Sequence, residues 1–119
     1  MRTVNILGTE YKIECRKISD DTTLKNNGWS GYRDMDNKLI VYADTSETEY
    51  FPDFDDSSKE LYTKRTIRHE IVHAYLAESG LDSSTLNYSC GWAINEEMVD
   101  WIAIQSPKIF KTFQELGIL

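Results

Sequence analysis

Apolar and polar residues alternate at the start of the chain. Thr3 to Leu7 and Glu10 to Arg16 are two runs of β-forming residues with Gly8-Thr9 between them, the pattern of a hairpin. The polar stretch from Ser19 to Asn27 and the glycine-containing NNGWSGYRD follow. Asp36-Asn37 then predicts a turn into the run from Lys38 to Ala43, the most strongly strand-forming segment of the chain. Residues 44–56, with Pro52 inside them, read as a loop.

From Ser57 the pattern becomes helical. Ser57-Ser58-Lys59-Glu60 has the capping-box form S-x-x-E and predicts a helix running to about Ser79, with Gly80 as its stop. Residues 81–91 read as a connection, and a second helix is predicted from Ala93 to Gln105. Ser106-Pro107 supplies an N-cap and first-turn proline for a short third helix. Its Ile109, Phe110, Phe113 and Leu116 fall on one stripe, read as a core face, and Gly117 closes it. The class expected is α+β, an N-terminal antiparallel sheet followed by helices.

Composition narrows the function. With 119 residues the chain fits one domain, 1–119. A net charge of −7 argues against nonspecific nucleic-acid binding. Seven carboxylates against Lys59 give residues 44–60 a net of −6, so the remainder is close to neutral. No run approaches the ~18–20 apolar residues of a membrane span. The N-terminal alternation does not read as a secretory signal, so a cytoplasmic location is expected. Cys15 and Cys90 are then expected to be reduced thiols.

The chemistry gathers in one helix. Arg68-His69-Glu70-Ile71-Val72-His73 is H-E-x-x-H, and it contains both histidines of the chain. One helical turn apart, the two imidazoles share a face and can occupy two corners of a tetrahedral Zn²⁺. Glu70, one residue round, is placed as a general base towards a water. Chance placement of two histidines at this spacing, with Glu after the first, is on the order of 0.1%. A third ligand must be a carboxylate or Cys90. Glu96 and Asp100 lie at i and i+4 on the second helix, and Ala103 continues their face with a small side chain. One can ligate the metal while the other accepts the second ring N–H of a ligating histidine.

H-E-x-x-H followed by Asn95-Glu96 and Asp100 resembles the gluzincins, the thermolysin-like zinc peptidases. The short length and β-then-α order resemble the minimal gluzincins and the phage or prophage peptidases of the ImmA/IrrE type. The resemblance covers roughly residues 29–105. It implies a zincin-like fold and one Zn²⁺ held by His69, His73 and Glu96. It also implies Glu70 as catalytic base and Asp100 as the partner of a ligating histidine. The chain has no spare histidine to bind an oxyanion, and Tyr88 is the candidate donor in its place.

The expected activity is zinc-dependent peptide hydrolysis, selective for one protein partner. Substrate is expected to add to the run from Lys38 to Ala43, read as an edge strand. The acidic segment following that run is expected to favour basic peptides. Two other readings stand: a zinc-binding regulatory module with little general proteolysis, and a structural zinc protein with Cys90 as fourth donor. A His/His/Glu site also accepts other divalent ions.

Overall fold

The N-terminal alternation folds as a hairpin of β1, Arg2–Ile6, and β2, Thr9–Arg16, paired antiparallel with Ile6 opposite Thr9. The turn is Leu7-Gly8, one residue earlier than expected, with both residues at positive φ (51° and 91°). This two-residue form matches the right-handed twist of the strands it joins. The computed structural model describes residues 2–83 and 91–119.

The polar stretch after β2, for which no element was predicted, contains a short helix. Helix α1, Thr22–Asn27, starts where the Asp21 carboxylate accepts from Leu24 N at 2.9 Å and ends at Gly28, φ 66°. These are ordinary start and stop signals, Asp before and Gly after. Strands β3, Gly31–Asp34, and β4, Leu39–Ala43, then form a second hairpin whose turn is held by Asn37 N donating to Asp34 Oδ1 at 3.0 Å.

The sheet order is β1-β2-β4-β3, and β4 runs parallel to β2. This corrects two expectations. The sheet is mixed, not antiparallel, because the connection through α1 and β3 brings β4 back in the direction of β2. And the run from Lys38 to Ala43 forms no edge: β4 is bonded on both sides, so its backbone cannot receive a substrate. Its apolar LIVYA suits a strand covered on both sides, whereas GYRD suits an edge. The exposed edge on this side is β3.

Helix α2, Asp56–Glu78, packs across the sheet, with Ala74 in one core cluster with Ile6, Tyr11, Ile13 and Ile40. Its N-cap is Asp55, which accepts from Ser58 N at 2.7 Å, two residues before the predicted cap. A second cluster joins Ile18, Leu24, Val41, Ala43 and Phe51. At the C-terminal end of α2, Glu78 accepts from Tyr11 Oη (2.7 Å), Thr9 Oγ1 (2.9 Å) and Lys38 Nζ (3.0 Å). These bonds, the Tyr11 hydroxyl first, bring the carboxyl down to about 2.

Short 3-10 turns at Leu81–Ser83 and Trp92–Ile94 precede α3, Glu96–Glu115. The two predicted C-terminal helices are thus one, and Pro107 lies inside it. Proline removes the N–H that would bond the carbonyl of residue 103. Arg68 replaces that donor: its Nε bonds Ala103 O at 2.5 Å from α2. Because α3 does not break, residues beyond Pro107 do not fold back on the sheet. The predicted core stripe is therefore largely open, with Phe110 52% and Leu116 67% exposed. No helix among the described residues is long and apolar enough to cross a membrane.

Candidate metal centre

Helical periodicity brings His69 and His73 onto one face of α2, and their rings meet edge to face with Nε2 atoms 3.0 Å apart. The α3 N-terminus supplies the third group. Asn95 caps α3 by accepting from Met98 N at 2.7 Å, which starts the helix at Glu96. The Glu96 carboxylate lies 3.0 Å from His69 Nε2 and 3.1 Å from His73 Nε2. One turn on, Asp100 Oδ1 is 2.7 Å from His69 Nδ1.

This geometry suits a cation. With Nδ1–H donating to Asp100, the His69 ring turns an unprotonated Nε2 towards the other two groups. Burial holds His73 below the ordinary imidazole range, favouring the neutral form that ligates. With the His73 proton on Nδ1, two imidazole lone pairs and a carboxylate face one another, an arrangement that a positive charge among them would stabilise. Donors at a Zn–N length of ~2.0–2.1 Å define tetrahedron edges of ~3.3 Å. The separations here, 3.0–3.3 Å, are close to that. Among the described residues, His69, His73 and Glu96 form a group able to hold a metal. Three protein donors leave a tetrahedral ion one corner for water or substrate.

Glu70 lines the same cleft, only 7% exposed. Burial pushes its carboxyl up to about 7, against the pull of His69 and Arg33. The cleft, about 650 Å³, runs between α2 and the β3 edge. Gly31 allows their close approach: a Cβ there would sit 2.8 Å from Thr66 Cγ2, 3.0 Å from Val41 O and 3.4 Å from Glu70 Cγ. Arg33, two residues along β3, donates to His73 O at 2.8 Å and pairs with Asp82 at 3.4 Å. It ties the strand to the helix that carries His69 and His73.

Five residues legible in the sequence are brought to one place by the fold: His69, Glu70, His73, Glu96 and Asp100. Tyr88 and Cys90 lie outside the described residues. Gly31, Arg33, Tyr62, Arg65, Thr66 and Arg68 join the five from outside the motifs. Only Gly31 carried a local signal, a glycine inside a strand. The acidic segment does not line the cleft. Several of its carboxylates cap backbone instead: Glu47 accepts from Ile18 N at 2.7 Å, Asp44 from Ser46 N and Asp55 from Ser58 N. The expected preference for basic peptides therefore finds no contact from this segment inside the cleft. Compared with known proteins, the chain matches no family model, no curated protein and no solved structure.

Proposed function

We propose that the chain is a zinc-dependent peptidase with Glu70 as general base. One observation carries this reading: the convergence of His69, His73 and Glu96 within 3.0–3.3 Å beside a buried carboxylate. Zinc held by these three supplies Lewis acidity, bringing the pKa of water towards ~7 and polarising a carbonyl. Glu70 is buried in the same cleft as these three groups, where a general base must sit. It takes the proton of the water that attacks the peptide carbonyl and delivers it to the leaving amine. Asp100 holds the His69 ring in the orientation and tautomer that ligation needs. The β3 edge offers backbone groups to an extended peptide, in place of the internal β4.

Metal analysis of the purified protein, with peptide cleavage followed by mass spectrometry, tests the reading. About one zinc per chain is expected, lost in His73→Ala and retained in Glu70→Gln, with cleavage abolished in both. A folded wild type that takes up no zinc would overturn it. The exposed stripe of Phe110 and Leu116 favours a second reading, a zinc-binding interaction module. That reading predicts zinc uptake without cleavage of any peptide.

A further inference from the structure

The charges lining the cleft are segregated along its length. The cleft-lining residues of α2 run from Tyr62 to His73, ~16 Å of helix. Glu70, Glu96 and Asp100 lie at the metal end with the two histidines. Towards the N-terminal end of α2 the cleft is lined by Trp29, Tyr62, Arg65 and Thr66, with no carboxylate.

Arg65 is the distinctive group there. Its guanidinium sits 5.4 Å from the Tyr62 ring centroid, and the Tyr62 hydroxyl is hydrogen-bonded to Ser30 Oγ. Among the described residues no carboxylate pairs with it. The other cleft arginine, Arg33, is already engaged by His73 O and Asp82. A guanidinium held over an aromatic ring, with no carboxylate paired to it among the described residues, is arranged to take one.

The spacing defines which carboxylate. Arg65 is one helical turn, ~6 Å, from His69. Extended peptide rises ~3.3 Å per residue. A side chain meeting Arg65 therefore belongs one or two residues from the bond held at the metal end.

We propose that Arg65 is a specificity-determining residue and that the cleft selects peptides carrying Asp or Glu one or two positions from the scissile bond. The selection is local, because a protein of net charge −7 repels acidic peptides at long range. It opposes the preference that the acidic segment suggested. The inference rests on the peptidase reading for its scissile bond, but the choice of ligand has a separate test.

The experiment has two arms, both on zinc-loaded full-length protein. In the first, a random peptide mixture is digested and the cut sites are read by mass spectrometry. Wild type is expected to enrich Asp or Glu at one flanking position. Arg65→Glu is expected to shift that position towards Lys or Arg, a change on the order of tenfold in kcat/KM, with zinc content and Tm unchanged. In the second arm, non-cleaving Glu70→Gln is titrated with matched Asp- and Lys-containing peptides, and binding is read by isothermal titration calorimetry. It is expected to bind the Asp peptide more tightly, and to lose that preference when Arg65→Glu is added. Cleavage without an acidic position, or a position unmoved by Arg65→Glu, would overturn the inference and leave the peptidase standing. Arg65-dependent binding of acidic peptides with no cleavage by wild type would sink the peptidase and keep the ligand class. No acidic preference in either arm would sink the inference.

Discussion

Arg68 Nε donates to the Ala103 carbonyl at 2.5 Å, and Pro107 is the reason that oxygen lacks its helical donor. One contact thus joins the helix carrying His69 and His73 to the helix carrying Glu96 and Asp100. It also lets a proline sit inside α3 without ending it. Ala103 is fully buried, so water is a poor substitute donor.

The contact predicts a coupled pair. Arg68→Ala should destabilise the protein by about 1–3 kcal/mol, the cost of an unsatisfied buried carbonyl. Pro107→Ala restores a backbone N–H to the same oxygen, so Arg68→Ala should cost clearly less in that background. Urea unfolding of the four proteins of this cycle measures the difference. Equal costs in both backgrounds would show that Arg68 does not stand in for the proline.

Asp100 touches no substrate in this scheme; it acts on the metal through the His69 ring. Asp100→Ala is expected to weaken zinc binding by about 10–100-fold. Competition against a chelator of known affinity reads this directly, without reference to cleavage. Unchanged affinity would remove Asp100 from the site.

Gly31 is where the edge strand meets the helix carrying His69 and His73. Gly31→Ala forces a Cβ against Thr66 Cγ2 and the Val41 carbonyl, at 2.8 and 3.0 Å. Overpacking of this kind costs about 1–3 kcal/mol. Thr66→Ser removes the nearer atom, so the double variant should recover part of the loss while the Val41 contact remains. Thermal unfolding and cleavage rate are both expected to fall in Gly31→Ala and to rise again in the double variant. Full stability in the single variant would mean that the approach of β3 to α2 is looser than described.

Glu78 predicts a pH dependence. Its folded carboxyl titrates at about 2, against an ordinary 4.5, so the unfolded chain binds more protons between these values. Its contribution to stability is therefore full above pH 4.5 and is lost as pH falls through about 2. Glu78→Gln should lower Tm at pH 7 and make little difference near pH 2. A Tm gap that stays constant from pH 7 to pH 2 would contradict the assignment.

Much of the site was legible because its geometry is local. His69 and His73, like Glu96 and Asp100, are one turn apart on their own helices, and a period of 3.6 residues brings each pair onto one face in any fold. The Gly80 stop is equally local, whereas the Asn95 cap corrects the expected helix start from Ala93 to Glu96. The reading failed where a local signal was outweighed from far away. Ser106-Pro107 has the form of a helix start, and it lost to a donor on Arg68. The stripe from Ile109 to Leu116 has the form of a core face, and it is exposed because α3 continues.

Residue types and spacing alone decided that two imidazoles and three carboxylates would be presented on two helices. They also decided the strand-forming character of β1, β2 and β4. Tertiary structure decided that the two helices face each other closely enough for Nε2 and carboxylate atoms to converge within 3.0–3.3 Å. It decided that β4 is covered and β3 forms the edge, that Gly31 admits α2, and that arginines rather than the acidic segment line the cleft. The reason is range. Helical period acts over a few residues, whereas strand order, burial and the pairing of charges depend on contacts between residues tens of positions apart.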